Sequence, residues 1–116
     1  MAIAKEAFPM LRIYADAVAM CGDAGRVARV VERYDLDLGR QLRRAATSVL
    51  LNLAEGSGTT GGHRRQRYLT AMGSAREVVA CLDAAEAIQY VAKVDGAVRA
   101  RLDIIIGTLV RLLRPG

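Results

Sequence analysis

The stretch from Asp37 to Gly56, DLGRQLRRAATSVLLNLAEG, decides the fold class. Leu38, Leu42, Ala45, Val49 and Leu53 recur in it every three or four positions, the period of a helix with one buried side, and no alternation at period two competes with them. Asp35 or Asp37 can cap its start with a carboxylate, and Gly56 closes it, so one straight helix is predicted here. Outward from this rod, three more blocks show the same period. The first runs from about Pro9, favourable in a first turn, to about Arg33, with Leu11, Ala15, Val18, Gly22, Gly25 and Ala28 as its core-facing stripe. Gly22 and Gly25 weaken it and predict a bend or fraying, though small residues also permit a close helix neighbour. The third runs from about His63 to Val91, with Tyr68, Met72, Ala75, Val79 and Leu82 on one seam and Ala71, Val78 and Ala85 beside it. The fourth runs from about Asp95 to Leu113 on Val98, Leu102, Ile105, Leu109 and Leu112, stopped by Pro115.

Between the second and third blocks, Ser57 to Gly62 lacks bulk and periodicity and is predicted as the main loop. Short connections force antiparallel neighbours. The expected fold is therefore all-α, an antiparallel up-down-up-down four-helix bundle, with one domain over residues 1–116 and the third helix the longest.

Composition bounds what such a bundle can be. At 116 residues the chain suits a single core, and with 53% apolar residues and 2 prolines it is neither disordered nor loop-rich. The formal charge of +5 favours polyanionic partners. Cys21 and Cys81 lie on helical blocks, and the chain has 1 histidine, which argues against a zinc site and gives the thiols the role of small apolar residues. No membrane span or secretory leader is legible, so the expected location is cytoplasmic.

Two polar ridges stand beside the apolar seams. Gln41, Arg44, Ser48, Asn52 and Glu55 follow helical steps on the second helix; Arg67, Thr70, Ser74 and Glu77 do so on the third. They are either solvated faces or a structural network or subunit interface, in which Arg44 pairs with Glu77 or Glu55 and the serines and Asn52 satisfy the remaining groups. Chemistry at these carboxylates lacks support. Glu55 and Glu77 carry no Glu-x-x-His spacing for a di-metal centre, no nucleophile–base pair accompanies them, and Gly-Thr-Thr-Gly-Gly-His lacks the Gly-Lys-Ser/Thr of a phosphate-binding loop. No enzyme activity, cofactor or metal is expected.

Gln41-Leu42-Arg43-Arg44-Ala45-Ala46, Ser48-Val49, Asn52-Leu53-Ala54-Glu55-Gly56 and Gly73-Ser74-Ala75-Arg76-Glu77, in this order and spacing, resemble the bacterial four helix bundle protein family. Its first described members are intervening sequence proteins, encoded within large-subunit ribosomal RNA genes; a distant relative is the accessory variability protein of diversity-generating retroelements. The likeness is dense from about Tyr34 to Val91. Leu50-Leu51 replaces a frequent Pro-Ser, and Tyr34-Asp35-Leu36-Asp37-Leu38 stands where many members have a Phe-Pro loop. The resemblance implies a bundle assembled as a homopentamer. For the retroelement relative it implies a basic surface that binds nucleic acid and a reverse transcriptase.

Up-down topology sorts charge by pole. Lys5, Arg12, Arg64, Arg65, Arg67, Arg111 and Arg114 gather against Glu6, Asp16 and Glu55 at the pole of the glycine loop, a balance of +4, whereas the other pole stands at +2. Arginines in a helix's first turn oppose its dipole, an arrangement that suits a bound anion. RNA-binding through Arg64, Arg65 and Arg67, with Arg12, Arg111 and Arg114 around them, is the expected role, more for RNA than DNA, as a non-enzymatic oligomeric accessory or scaffold factor working with a reverse transcriptase or a ribonucleoprotein. The alternative is a structural ring that docks a protein partner without touching nucleic acid. Phe8, Tyr14, Tyr34, Tyr68 and Tyr90 are expected mainly in the core, leaving few platforms for base stacking.

Overall fold

The computed structural model describes residues 7–115. Four helices, α1 (Ala7–Val31), α2 (Leu36–Ser57), α3 (Gly61–Ala87) and α4 (Gly96–Leu112), follow one another, and the described residues contain no strand. Each packs on the next and α4 returns to α1, an antiparallel up-down-up-down four-helix bundle measuring 47 × 24 × 23 Å. At 27 residues α3 is the longest helix.

The boundaries follow local chemistry. The Asp35 carboxylate accepts the Leu38 N–H at 2.9 Å and starts α2; Asp95 accepts from Ala97 at 3.0 Å and starts α4. The expected loop at Ser57–Gly62 shrinks to Gly58, Thr59 and Thr60, because α2 continues through Ser57 and Gly61 and Gly62 already wind into α3. Gly61 has φ +63°, a left-handed conformation that glycine adopts without steric cost. At the other end α3 stops at Ala87, short of the predicted Val91, with Gln89 at φ +67° turning the chain.

One apolar core runs through all four helices, drawn from Ile13, Met20, Leu42, Val49, Leu53, Val78, Leu82, Leu102, Ile105 and Leu109 among others. The seams predicted on α2 and α3 face it. Just past α4, Leu113 closes the core, whereas the expected Leu112 is 40% exposed. The stripe predicted on α1 is wrong in phase. Ile13, Ala17, Met20, Ala24, Ala28 and Val31 are buried, while Leu11 is 58% exposed and Val18 49%. Of the expected stripe only Ala28 is buried; Ala15 and Gly22 lie outside with Leu11 and Val18, and Gly25 is half-buried. α1 carries two apolar stripes of equal period, and the glycine-free one packs inward; α2 approaches α1 closely at Gly39, where a Cβ would stand 3.2 Å from the Ala28 carbonyl oxygen. The helix is unbroken through Gly22 and Gly25.

Gly56 has a similar role between α2 and α3. It is helical and buried, not a terminator, and a Cβ there would overlap the Tyr68 ring. The aromatics depart from expectation: only Tyr68 is buried, Tyr14 is 45% and Tyr34 65% exposed, and the Phe8 side chain lies outside those described. Tyr34 and half-buried Tyr90 leave the α1–α2 and α3–α4 connections and stack, with centroids 5.5 Å apart.

Arginine–carboxylate pairs join each neighbouring pair of helices. Arg43 meets Glu32 across α1–α2 at 2.8 Å, Arg67 meets Glu55 across α2–α3 at 3.0 Å, Arg99 meets Asp83 and Glu86 across α3–α4 at 2.9 Å, and Arg101 meets Asp23 across α4–α1 at 2.7 Å. Pairs this exposed contribute little energy.

Candidate nucleic-acid interface

The pole where α1 and α3 begin and α2 and α4 end carries the arginines singled out from the sequence. Arg64, Arg65 and Arg67 occupy the first two turns of α3, Arg12 lies in the second turn of α1, Arg111 in the last turn of α4, and Arg114 just beyond it. Lys5 and Glu6 lie outside the described residues; the remaining six arginines face Asp16 and Glu55, so the local balance is still +4.

What holds these side chains is mostly neutral. Arg65 donates from Nη1 to the Leu113 carbonyl at 2.9 Å, closing the C-terminus of α4, where an arginine also complements the helix dipole. Arg64 donates from Nε to the Thr59 carbonyl at 2.8 Å, and Arg111 donates to the Thr108 hydroxyl at 3.3 Å. Of the six arginine–carboxylate contacts among the described residues, only Arg67–Glu55 lies here, with both partners about half exposed. Asp16 neutralises none of the arginines: one of its oxygens is buried without a hydrogen-bond partner among the described residues. α3 itself begins at Thr60 without a side-chain cap. Uncapped N–H groups and guanidiniums therefore converge on one surface.

Beside them an open cleft of about 260 Å³ is lined by Met10, Gly61, Arg64, Arg65, Tyr68, Leu112 and Leu113. Burial pushes the Tyr68 phenol above its ordinary pKa, and the Arg64 cation opposes that shift. The cleft was not legible in the sequence, because it needs α1, α3 and the end of α4 together.

The two polar ridges meet at their centre. The Ser48 and Ser74 hydroxyls are 2.7 Å apart, and Asn52 donates from Nδ2 to the Ser48 carbonyl at 2.9 Å and its hydroxyl at 3.1 Å. The expected Arg44 pairing does not form: Glu55 takes Arg67 instead, and neither Arg44 nor Glu77 has an ion-pair partner among the described residues. Gln41, Arg44 and Glu77 are exposed, and the Thr70 hydroxyl donates back to the Gln66 carbonyl of its own helix.

No group of three or more metal-binding side chains occurs among the described residues, and no helix there is long and apolar enough to cross a membrane. Cys81 is buried and Cys21 half-buried, donating to the Ala46 carbonyl at 3.2 Å; burial raises both thiol pKa values. These are poor nucleophiles.

A family model described as 23S rRNA-intervening sequence protein matches residues 10–107, all four helices except their outermost ends. The chain belongs to this family. The family match reaches from Met10, in the cleft, to Gly107, in the last third of α4, and so includes Arg12, Arg64, Arg65, Arg67 and both polar ridges but not Arg111 or Arg114. No match to the chain is found among curated proteins or solved structures.

Proposed function

We propose that this member of the 23S rRNA-intervening sequence protein family is a non-enzymatic, homo-oligomeric scaffold that binds nucleic acid, RNA before DNA, through its arginine-rich pole. The observation that carries the reading is the pole's unmatched charge: Arg64 and Arg65 are fixed by single neutral carbonyls, beside Arg12, Arg111 and Arg114, with one Arg–Glu pair among them. A guanidinium has five N–H donors, so each held this way keeps several for phosphate oxygens. The family's association with ribosomal RNA genes agrees with RNA as the polyanion and is compatible with a cytoplasmic location.

Self-association rests on a separate feature. Leu11, Tyr14 and Val18 form an exposed apolar stripe on α1, pointing away from the bundle's own core. A second copy would cover it, and a ring of five, as the family resemblance implies, would repeat the basic pole around an axis. A reverse transcriptase or ribonucleoprotein is the protein partner that the resemblance supplies.

Anisotropy titration of a labelled structured RNA at two salt concentrations tests the reading. Binding should weaken steeply with salt, as phosphate contacts release counterions. The triple variant Arg64→Gln, Arg65→Gln, Arg67→Gln should weaken it by tenfold or more on the order expected for several lost phosphate contacts, with helical signal unchanged. Absence of binding at low salt refutes the proposal.

A further inference from the structure

The cleft at the arginine-rich pole is more than a charged surface. Its lining is mostly apolar, with Met10, Leu112 and Leu113, and includes Arg64 and Arg65. Tyr68 also lines it. That side chain is 6% exposed, yet its hydroxyl makes no hydrogen bond to any described residue. A tyrosine hydroxyl with no partner among the described residues can donate to, or accept from, a polar group of a ligand. At about 260 Å³ the cleft is smaller than pockets for drug-sized ligands, which begin near roughly 300 Å³, and suits one heterocyclic ring system.

We infer that this cleft holds a single unstacked nucleobase of the bound RNA, with Arg64 and Arg65 on the flanking phosphates and the Tyr68 hydroxyl on the base edge. The inference rests on the proposed nucleic-acid reading and narrows its ligand. A fully paired helix keeps its bases stacked inside, whereas a bulge, loop or end offers one to a pocket. A mostly apolar lining suits a base better than a phosphate. Guanidinium planes, in contrast, can both stack on a base and bind the phosphates beside it.

The probes are three RNA duplexes: fully paired, with one bulged uridine, and with an abasic residue at the bulge. The two bulged probes have the same number of phosphates. The full-length protein should bind the uridine bulge about fivefold or more tightly than the abasic one, the scale of one base contact. Tyr68→Phe and, independently, Leu112→Ala should shrink that ratio towards one. Arg64→Gln should weaken both bulged probes. Leu112 is 40% exposed, so its truncation leaves the core intact should the Tyr68 variant fold poorly. Equal affinity for uridine and abasic bulges overturns the cleft assignment and leaves phosphate binding standing. Failure of all three probes to bind at low salt overturns both.

Discussion

Glu86 joins three segments of the chain through one carboxylate. It accepts from the Arg99 guanidinium at 2.9 Å and from the Val94 N–H at 2.8 Å, tying the end of α3 to the connection before α4 and to α4 itself. Both bonds favour the charged form, the Arg99 bond most, and hold the carboxyl below its ordinary pKa. A carboxylate depressed in the folded state stabilises it at pH values above the unfolded pKa of about 4.3, and that contribution is lost as pH falls through the folded value. Glu86→Gln should therefore lower the urea midpoint at pH 7 and narrow the gap to the unmodified protein as pH drops below about 4. Glu32, held down in the same way by Arg43, titrates in both proteins and so cancels from the comparison. A gap that stays constant between pH 7 and pH 3 shows that Glu86 is not the titrating group.

The α2–α3 contact depends on small polar groups as well as on its seam. Ser48 and Ser74, both half-buried, share one hydroxyl bond across the contact, and Asn52 adds a second bond to Ser48. Removing Ser48 leaves the Ser74 hydroxyl without its partner and removing Ser74 leaves Ser48 with Asn52 alone, each at about 1 kcal/mol, whereas removing both replaces the bond with apolar contact. In a double-mutant cycle, Ser48→Ala and Ser74→Ala should each lower unfolding free energy, Ser48→Ala more because Asn52 also loses an acceptor, and the double variant should lose clearly less than the sum. Additive losses would show that no bond joins them. The meeting of these ridges was legible because α2 has one apolar and one polar face, which fixes its rotation. α1 has no such asymmetry. Leu11-Ala15-Val18-Gly22 and Ile13-Ala17-Met20-Ala24 share a period and differ by half a turn, so periodicity alone cannot choose; the absence of glycine from the second run was the available signal. Tyr34 and Tyr90 escaped for another reason: they lie outside the helices, where helical spacing says nothing. The Arg65 bond to Leu113 joins residues 48 positions apart through a backbone carbonyl, which every residue possesses, so no residue pattern announces it.

At the scale of the whole molecule, the basic pole and an uncovered apolar stripe share α1. α1 contributes Arg12 to the pole and Leu11, Tyr14 and Val18 to the stripe, so assembly through α1 would set the spacing between basic poles of neighbouring copies. The charge of one pole is modest, and phosphate affinity grows with the number of cations that act together, so loss of assembly should weaken RNA binding without touching a single contact arginine. Val18 is the position to test, because it is half exposed and its replacement leaves the core intact. Val18→Glu places a charge in the centre of the stripe, which a second copy could bury only at a cost of several kcal/mol. Sedimentation should show the unmodified protein above the 12.5 kDa of one chain and the variant at that mass, with equal helical signal. The variant should also bind structured RNA more weakly and with a shallower salt dependence than its parent. A variant that keeps the parent's mass places the interface elsewhere, and a parent that sediments as a single chain removes self-association from the account. A variant reduced to one chain that still binds RNA as tightly separates the two halves of the reading: the pole then acts alone, and the apolar stripe has a different purpose.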